Sequence, residues 1–182
     1  MSATDNLAKT SSRTRLAERL RQHLEELIAL YVTRLSGDPL VPMAKSLSNP
    51  LLEDHALSFI SDLFQALVVI AKAEEMTDRD ETDLLTDGTK IQHLVAELHG
   101  RQRHRLGWTE SALQREYQIL SEEVESLVKR RAPDGDRYGD VRWALEVLTR
   151  HLTRARDASI AAHRAAARES GRQGSAHSEL RA

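Results

Sequence analysis

Three side chains able to do charge chemistry meet on one short stretch of this 182-residue chain. The run His99-Gly100-Arg101-Gln102-Arg103 leads through Gly107-Trp108-Thr109 to Leu113-Gln114-Arg115-Glu116. His99 and Arg103 stand four residues apart, so they share one helix face with Val95. Glu116 falls about one turn from both Leu113 and Leu120, beside the apolar seam of the next, antiparallel helix. The pattern predicts that Arg103 forks onto Glu116 while His99 completes the set through a ring nitrogen. A guanidinium near a core needs such a carboxylate, because an unpaired interior charge is costly. Gly100 would leave room beside His99 for a second helix or a small ligand. The plainest reading is a polar clasp that fixes the geometry between two helices, since satisfied buried pairs are common. A ligand- or signal-sensing cluster comes next. Catalysis ranks last, because no nucleophile or second carboxylate accompanies the set at a usable spacing.

Other chemistries find less support. There are 8 histidines and no cysteine, which removes disulfides, thiolate nucleophiles and Cys-built zinc sites. His93, His99 and His104 lie along one helix, but separations of six and five residues do not share a face. The pair His93 and Glu97 stands alone, so a metal site would have to be assembled from different helices. A buried His99 could serve a haem as proximal ligand, yet few large aromatics beyond Phe59 and Phe64 are at hand to wall a porphyrin. The expectation is no metal and no cofactor. Basic stretches at Arg101 to Arg105, at Lys129-Arg130-Arg131 and from Arg150 onward lack interleaved aromatics. They read as solvated faces and helix C-termini, where cations oppose the macrodipole. A net charge of -2 argues against a nucleic-acid partner. Residues 1–12 are polar, without the apolar core of a signal peptide, and the longest apolar run, Ala66 to Ala71, is too short to cross a bilayer. A cytoplasmic protein without membrane association is expected.

The elements that must position these residues are helical throughout. Apolar positions recur at three- and four-residue steps from Arg13 to Leu35, ended by Ser36-Gly37-Asp38-Pro39. A short helix at Met43 to Leu47 leads to Asn49-Pro50, a start signal for the most apolar helix, Leu51 to Glu75. An acidic connector runs from Glu74 to Asp87, and a further helix from Thr89 to about Arg105. Gly107 should end that helix and Thr109 cap the next, with Trp108 and Leu113 placed as a hydrophobic staple. Leu113, Tyr117, Leu120, Val124 and Leu127 carry that next helix to about Arg131. Pro133-Asp134-Gly135-Asp136 reads as a turn before a last helix from Tyr138. The fold class is all-α: a bundle of five to six helices, with globin-like packing as one form of it. Three parts are expected: a disordered leader 1–12, a helical domain 13–155, and an extension with a disordered tail 156–182. Alanines at Ala155, Ala158, Ala162, Ala165 and Ala166 would suit either a close helix contact or a helix leaving the domain.

The segment Leu98-His99-Gly100-x-x-Arg103-x-x-x-Gly107, followed by Leu113-x-x-Glu116-Tyr117, resembles the core of the RsbRD N-terminal domain family of RsbT co-antagonists. The likeness covers about residues 14–155. It implies a globin-like sensory domain without haem, of the bacterial stress-signalling type, which usually precedes a phosphoacceptor STAS module or a histidine-kinase core. Signature status carries over to His99, Gly100, Arg103, Gly107 and Glu116. Ser121 departs from the family, which prefers Arg after this stretch. With no output module before Ala182, the chain is expected to be either a fragment or a single-domain relative. The resulting expectation is a non-enzymatic sensory domain, a homodimer, acting on a kinase or STAS-type partner through a helix-hairpin switch. The alternative is a haem-, tetrapyrrole- or metal-binding sensor built on His99 or His93.

Overall fold

The computed structural model describes residues 11–53, 56–73, 81–132 and 138–179. Among them the chain is all helix: α1 (Ser12–Gln22), α2 (Leu24–Gly37), a 3₁₀ turn (Pro42–Ser46), α3 (Asn49–Glu53), α4 (Ala56–Ala73), α5 (Glu81–Arg105), α6 (Glu110–Arg131) and α7 (Tyr138–Glu179). Discounting the single turn of α3, six helices form the bundle, and no strand occurs among the described residues.

The stretch expected as one helix from Arg13 to Leu35 is two. His23 leaves helical geometry at φ -106° and ψ 20°, and its N–H turns back to the carbonyl of Leu20 at 3.0 Å. Glu25 and Glu26 then fill the first turn of α2, where carboxylates complement the helix dipole. Neither Gly nor Pro marks this break, so periodicity runs through it unseen. Upstream, the Ser11 hydroxyl accepts from the Thr14 N–H and caps α1.

Two further boundaries move. The connector expected over Glu74 to Asp87 is partly helical, since α5 begins at Glu81; residues 74–80 lie outside the described residues, as does the expected turn at 133–136. At the C-terminal side α7 passes 155 without a break, and the tail expected as disordered from Gly171 is helical to Glu179. Ala158, Ser159, Ile160, Ala162 and His163 are all buried, so the core extends well past the expected domain edge. Of the expected disordered leader 1–12, residues 1–10 lie outside the described residues, whereas Ser11 caps α1 and Ser12 begins it.

One core joins all the helices. Phe59, Ile60, Leu63, Phe64, Leu67 and Val68 of α4 are buried in it. The span 50–72 is the one candidate among the described residues long and apolar enough to cross a membrane, and half of its most apolar window is already buried within the protein. That is the behaviour of a core helix.

The most extensive helix packing is between α5 and α7, not within the α5–α6 hairpin. Small residues make it so. Ala96 and Gly100 meet Ser159 of α7, and Ala155, Ala158 and Ala162 on either side of it are buried. A Cβ built on Gly100 would stand 2.0 Å from the carbonyl oxygen of Ser159. The room that Gly100 leaves is therefore filled by a helix. Gly100→Ala must push two backbones apart, and we expect a loss of about 3 kcal/mol in urea unfolding. Gly139→Ala, which meets nothing within 4 Å, should leave stability unchanged or raise it slightly. Equal midpoints for the two variants would contradict the close seam.

Candidate functional site

Helix geometry delivers the site. At the end of α5 the backbone closes with paired bonds, Trp108 N–H to the Arg103 carbonyl at 3.0 Å and Gly107 N–H to the His104 carbonyl at 2.9 Å. Both require the left-handed turn that Gly107 supplies at φ 78°. Thr109 then caps α6 by accepting from the Ala112 N–H. Trp108 and Leu113, at the two staple positions, are both buried. This corner sets Arg103, one turn before it, against Glu116, two turns after.

Arg103 is fully buried, and Glu116 nearly so at 2% exposure. The Arg103 Nε donates to both carboxylate oxygens, at 3.1 and 3.2 Å, and Nη2 donates to Oε1 at 2.7 Å. Nη1 and Nη2 also reach the carbonyls of Leu51 (3.0 Å) and Leu52 (3.3 Å). Those carbonyls belong to the short helix α3, whose last turn lacks intrahelical donors. The guanidinium carbon lies 4.6 Å from the centre of the Trp108 ring, a cation–π contact. His99 Nε2 meets Glu116 Oε2 at 3.0 Å, and because a carboxylate only accepts, the proton sits on that nitrogen. The Tyr31 hydroxyl of α2 donates to Oε1 at 2.6 Å.

One carboxylate thus ties α2, α5 and α6, and Arg103 carries the link on to α3. Burial alone would push the Glu116 carboxyl up, but the charges of His99 and Arg103 and their hydrogen bonds outweigh it and hold it at about 2. Burial, together with the adjacent Glu116 charge, drives the Tyr31 phenol well above its ordinary range, so it remains a donor. Burial likewise lifts the Tyr117 phenol.

A second set of bonds leads outward to α7. Tyr117 shares a hydrogen with Ser159 at 2.7 Å, and Ser159 donates to the Ala96 carbonyl at 2.5 Å. His163 Nε2 donates to the Trp108 carbonyl at 2.8 Å, and the His163 and His104 rings meet edge to face at 5.1 Å. His99 packs edge-on against Tyr117 with ring centres 5.9 Å apart.

Of the residues singled out from sequence, His99, Arg103 and Glu116 are brought into contact, Gly107 shapes the corner, and Gly100 faces α7 instead of a ligand. Tyr31, Ser159 and His163 were not singled out, and Trp108 was expected only as a staple, not as the ring beneath Arg103. Tyr31 carried a signal, because a tyrosine on a buried helix face needs a hydroxyl partner. Ser159, hidden in an alanine-rich face, carried none. Ser121, where the resembling family prefers Arg, donates within α6 to the Tyr117 carbonyl.

The geometry does not fit a tetrapyrrole. Nε2 of His99 is engaged, and the cavity beside it measures about 20 Å³. Among the described residues no three His, Asp or Glu side chains are grouped to hold a metal, and His93 sits exposed with Glu97 alone. Several cations of the basic stretches are paired: Arg101 with Glu169, Lys129 with Glu125, Arg130 and Arg131 with Glu26, Arg164 with Glu110. No protein-family model, curated protein or solved structure matches this chain.

Two measurements test the clasp. Arg103→Met leaves a buried carboxylate without its main partner and should cost about 3–5 kcal/mol. The double variant Arg103→Met with Glu116→Gln keeps an acceptor for Tyr31 and His99 and should be clearly more stable than the single one. Additive losses in chemical denaturation would argue against a buried ion pair. The second measurement is acid titration. Glu116 moves from its ordinary 4.5 down to about 2 on folding. Its stabilisation is complete above pH 4.5 and disappears as pH falls towards 2, a difference of about 3 kcal/mol. Asp38, Glu110 and Glu122 are lowered as well, so the comparison is wild type against Glu116→Gln. The stability gap between them should close across that window, and a constant gap would place the titration elsewhere.

Proposed function

We propose that this chain is a non-enzymatic sensory domain that transmits a signal by protein–protein contact, with the buried clasp as the bistable element. The observation that carries the reading is the pair of consecutive residues Glu116 and Tyr117. One anchors the ionic cluster and the next is hydrogen-bonded to α7 through Ser159. A change at the carboxylate therefore has a short, fully packed route to the longest helix in the molecule, and Trp108 to His163 is a parallel one.

Two further points support it. A buried ion network is a poor way to gain stability, since packed apolar groups of the same volume do as well or better. Its attested use is to fix one arrangement against others, which is what a two-state switch needs. The resemblance to the RsbRD N-terminal family rests on the same residues, His99, Gly100, Arg103, Gly107 and Glu116. On that reading the partners are a second copy of the chain and a kinase or STAS-type protein in the cytoplasm, and the exposed part of α7 beyond Arg164 is the output.

The absence of cysteine allows a direct test. Spin labels at Thr33→Cys on α2 and Arg168→Cys on α7, both exposed, report where α7 sits. Weakening the clasp with Glu116→Gln should add a second distance population while the helical circular dichroism is retained. A single unchanged distance in the folded variant would remove the switch. Sedimentation of the same samples gives the oligomeric state, and a monomer at all concentrations would remove the homodimer.

A further inference from the structure

Helix α5 buries one face and leaves the opposite one exposed. Gln92, Ala96, His99 and Arg103 are buried against the neighbouring helices. At about 100° per residue, Leu94, Leu98, Arg101 and Arg105 fall on the far side. All four are exposed, the leucines by 55% and 45%. Continued toward the start of α5, the same register passes through positions 90, 87 and 83, where the chain has Lys90, Asp87 and Asp83. One stripe therefore runs from acidic through apolar to basic along about 33 Å of helix.

The spacing on that stripe is symmetric. Asp87 and Arg101 each stand seven residues from Leu94, and Asp83 and Arg105 each stand eleven. The helix dipole favours acids at its start and bases at its end, but it asks for neither equal distances nor exposed leucines between them. Within one helix these charges cannot meet. Asp87 and Arg101 lie about 21 Å apart along the axis, well beyond the screening length at physiological salt. Arg101 does have Glu169 at 3.5 Å, but a pair of exposed groups contributes little. A second α5 running the opposite way would bring each aspartate to an arginine. With a two-fold axis at Leu94, Arg101 and Arg105 of one copy face Asp87 and Asp83 of the other. The two Leu94 side chains then meet, and Leu98 lies over the apolar stem of Lys90.

We propose that α5 is the interface between two copies of this chain, packed antiparallel about a two-fold axis at Leu94, with aspartate–arginine pairs at both ends. This rests on the homodimer of the reading above and gives it a surface. The contact is self-complementary, so it closes at two copies. One pair of helices covers less than the roughly 800 Å² per partner of a standard interface, so the dimer forms at micromolar concentrations and weakens with salt. Because His99 and Arg103 lie on the buried side of the same helix, the dimer seam runs directly across α5 from the clasp.

Charge exchange tests it. Arg101→Asp with Arg105→Asp gives the stripe acids at both ends, and Asp83→Arg with Asp87→Arg gives it bases at both ends. Each double variant should self-associate at least about tenfold more weakly than wild type in sedimentation equilibrium, with its helical circular dichroism retained. Mixed in equal amounts, the two should pair with each other at about wild-type strength. A second measurement leaves the charges alone and decides the matter if a charge variant fails to fold. The chain lacks cysteine, so a short bis-maleimide should join Leu94→Cys to itself. Asp87→Cys and Arg101→Cys should be joined to each other, and neither to itself. Undiminished association of the charge variants, a mixture that does not pair, or self-linking of Asp87→Cys overturns the interface. A wild-type dimer indifferent to these changes keeps the homodimer and defeats only this surface. A monomer at every concentration removes both, and movement of α7 in Glu116→Gln then judges the sensory reading separately.

Discussion

The architecture depends on a single negative charge. Arg103 is wholly buried, and a guanidinium in that position is tolerable only if its N–H groups are matched. Glu116 takes the larger share of them, and the carbonyls of Leu51 and Leu52 take the rest. The same carboxylate is also the acceptor for Tyr31 and His99. Helices α2, α5 and α6 are therefore held in register by one side chain, and Arg103 extends the hold to α3. The apolar core around them could pack in several related ways, because leucine and valine faces are only loosely selective. A saturated carboxylate is not so tolerant.

The second constraint is steric. Ala96 and Gly100 on α5 bring its backbone against Ser159 of α7. Because interaxial distance follows the size of the side chains at the crossing, small residues there allow the two backbones to meet closely. The polar and steric constraints meet at Ser159, whose hydroxyl joins the Ala96 carbonyl on one helix to Tyr117 on another. Hence α7 belongs to the domain along much of its length.

How much of this could be read from the chain differs by feature. The helices were legible from their three- and four-residue apolar spacing, and the corner at Gly107-Trp108-Thr109 from its turn and cap residues. The meeting of His99, Arg103 and Glu116 was legible because two of them share a face and the third flanks a seam. The break at His23 was not, since it has no Gly or Pro and the apolar stripe continues across it. The acidic run before Thr89 looked like a loop because its charges mask a helix that begins at Glu81. Burial beyond residue 155 was left open between a close contact and a helix leaving the domain, because alanine faces carry little hydrophobic signal; Ala155, Ala158 and Ala162 are buried. Gly100 suggested open space, and which neighbour fills such space is a tertiary fact that no local pattern contains.

Consecutive residues on a helix point about 100° apart. Glu116 and Tyr117 use that angle to grip two different neighbours, the ionic cluster on one side and α7 on the other. This makes α6 an axle. A roll of about 10° carries a side-chain tip through roughly 1 Å, the margin between a good hydrogen bond and a lost one. Both grips are already closed at 2.7 Å, so a roll in either direction disturbs the two together. The carboxylate and the phenol therefore share one rigid element, coupled through the covalent geometry of adjoining peptide units.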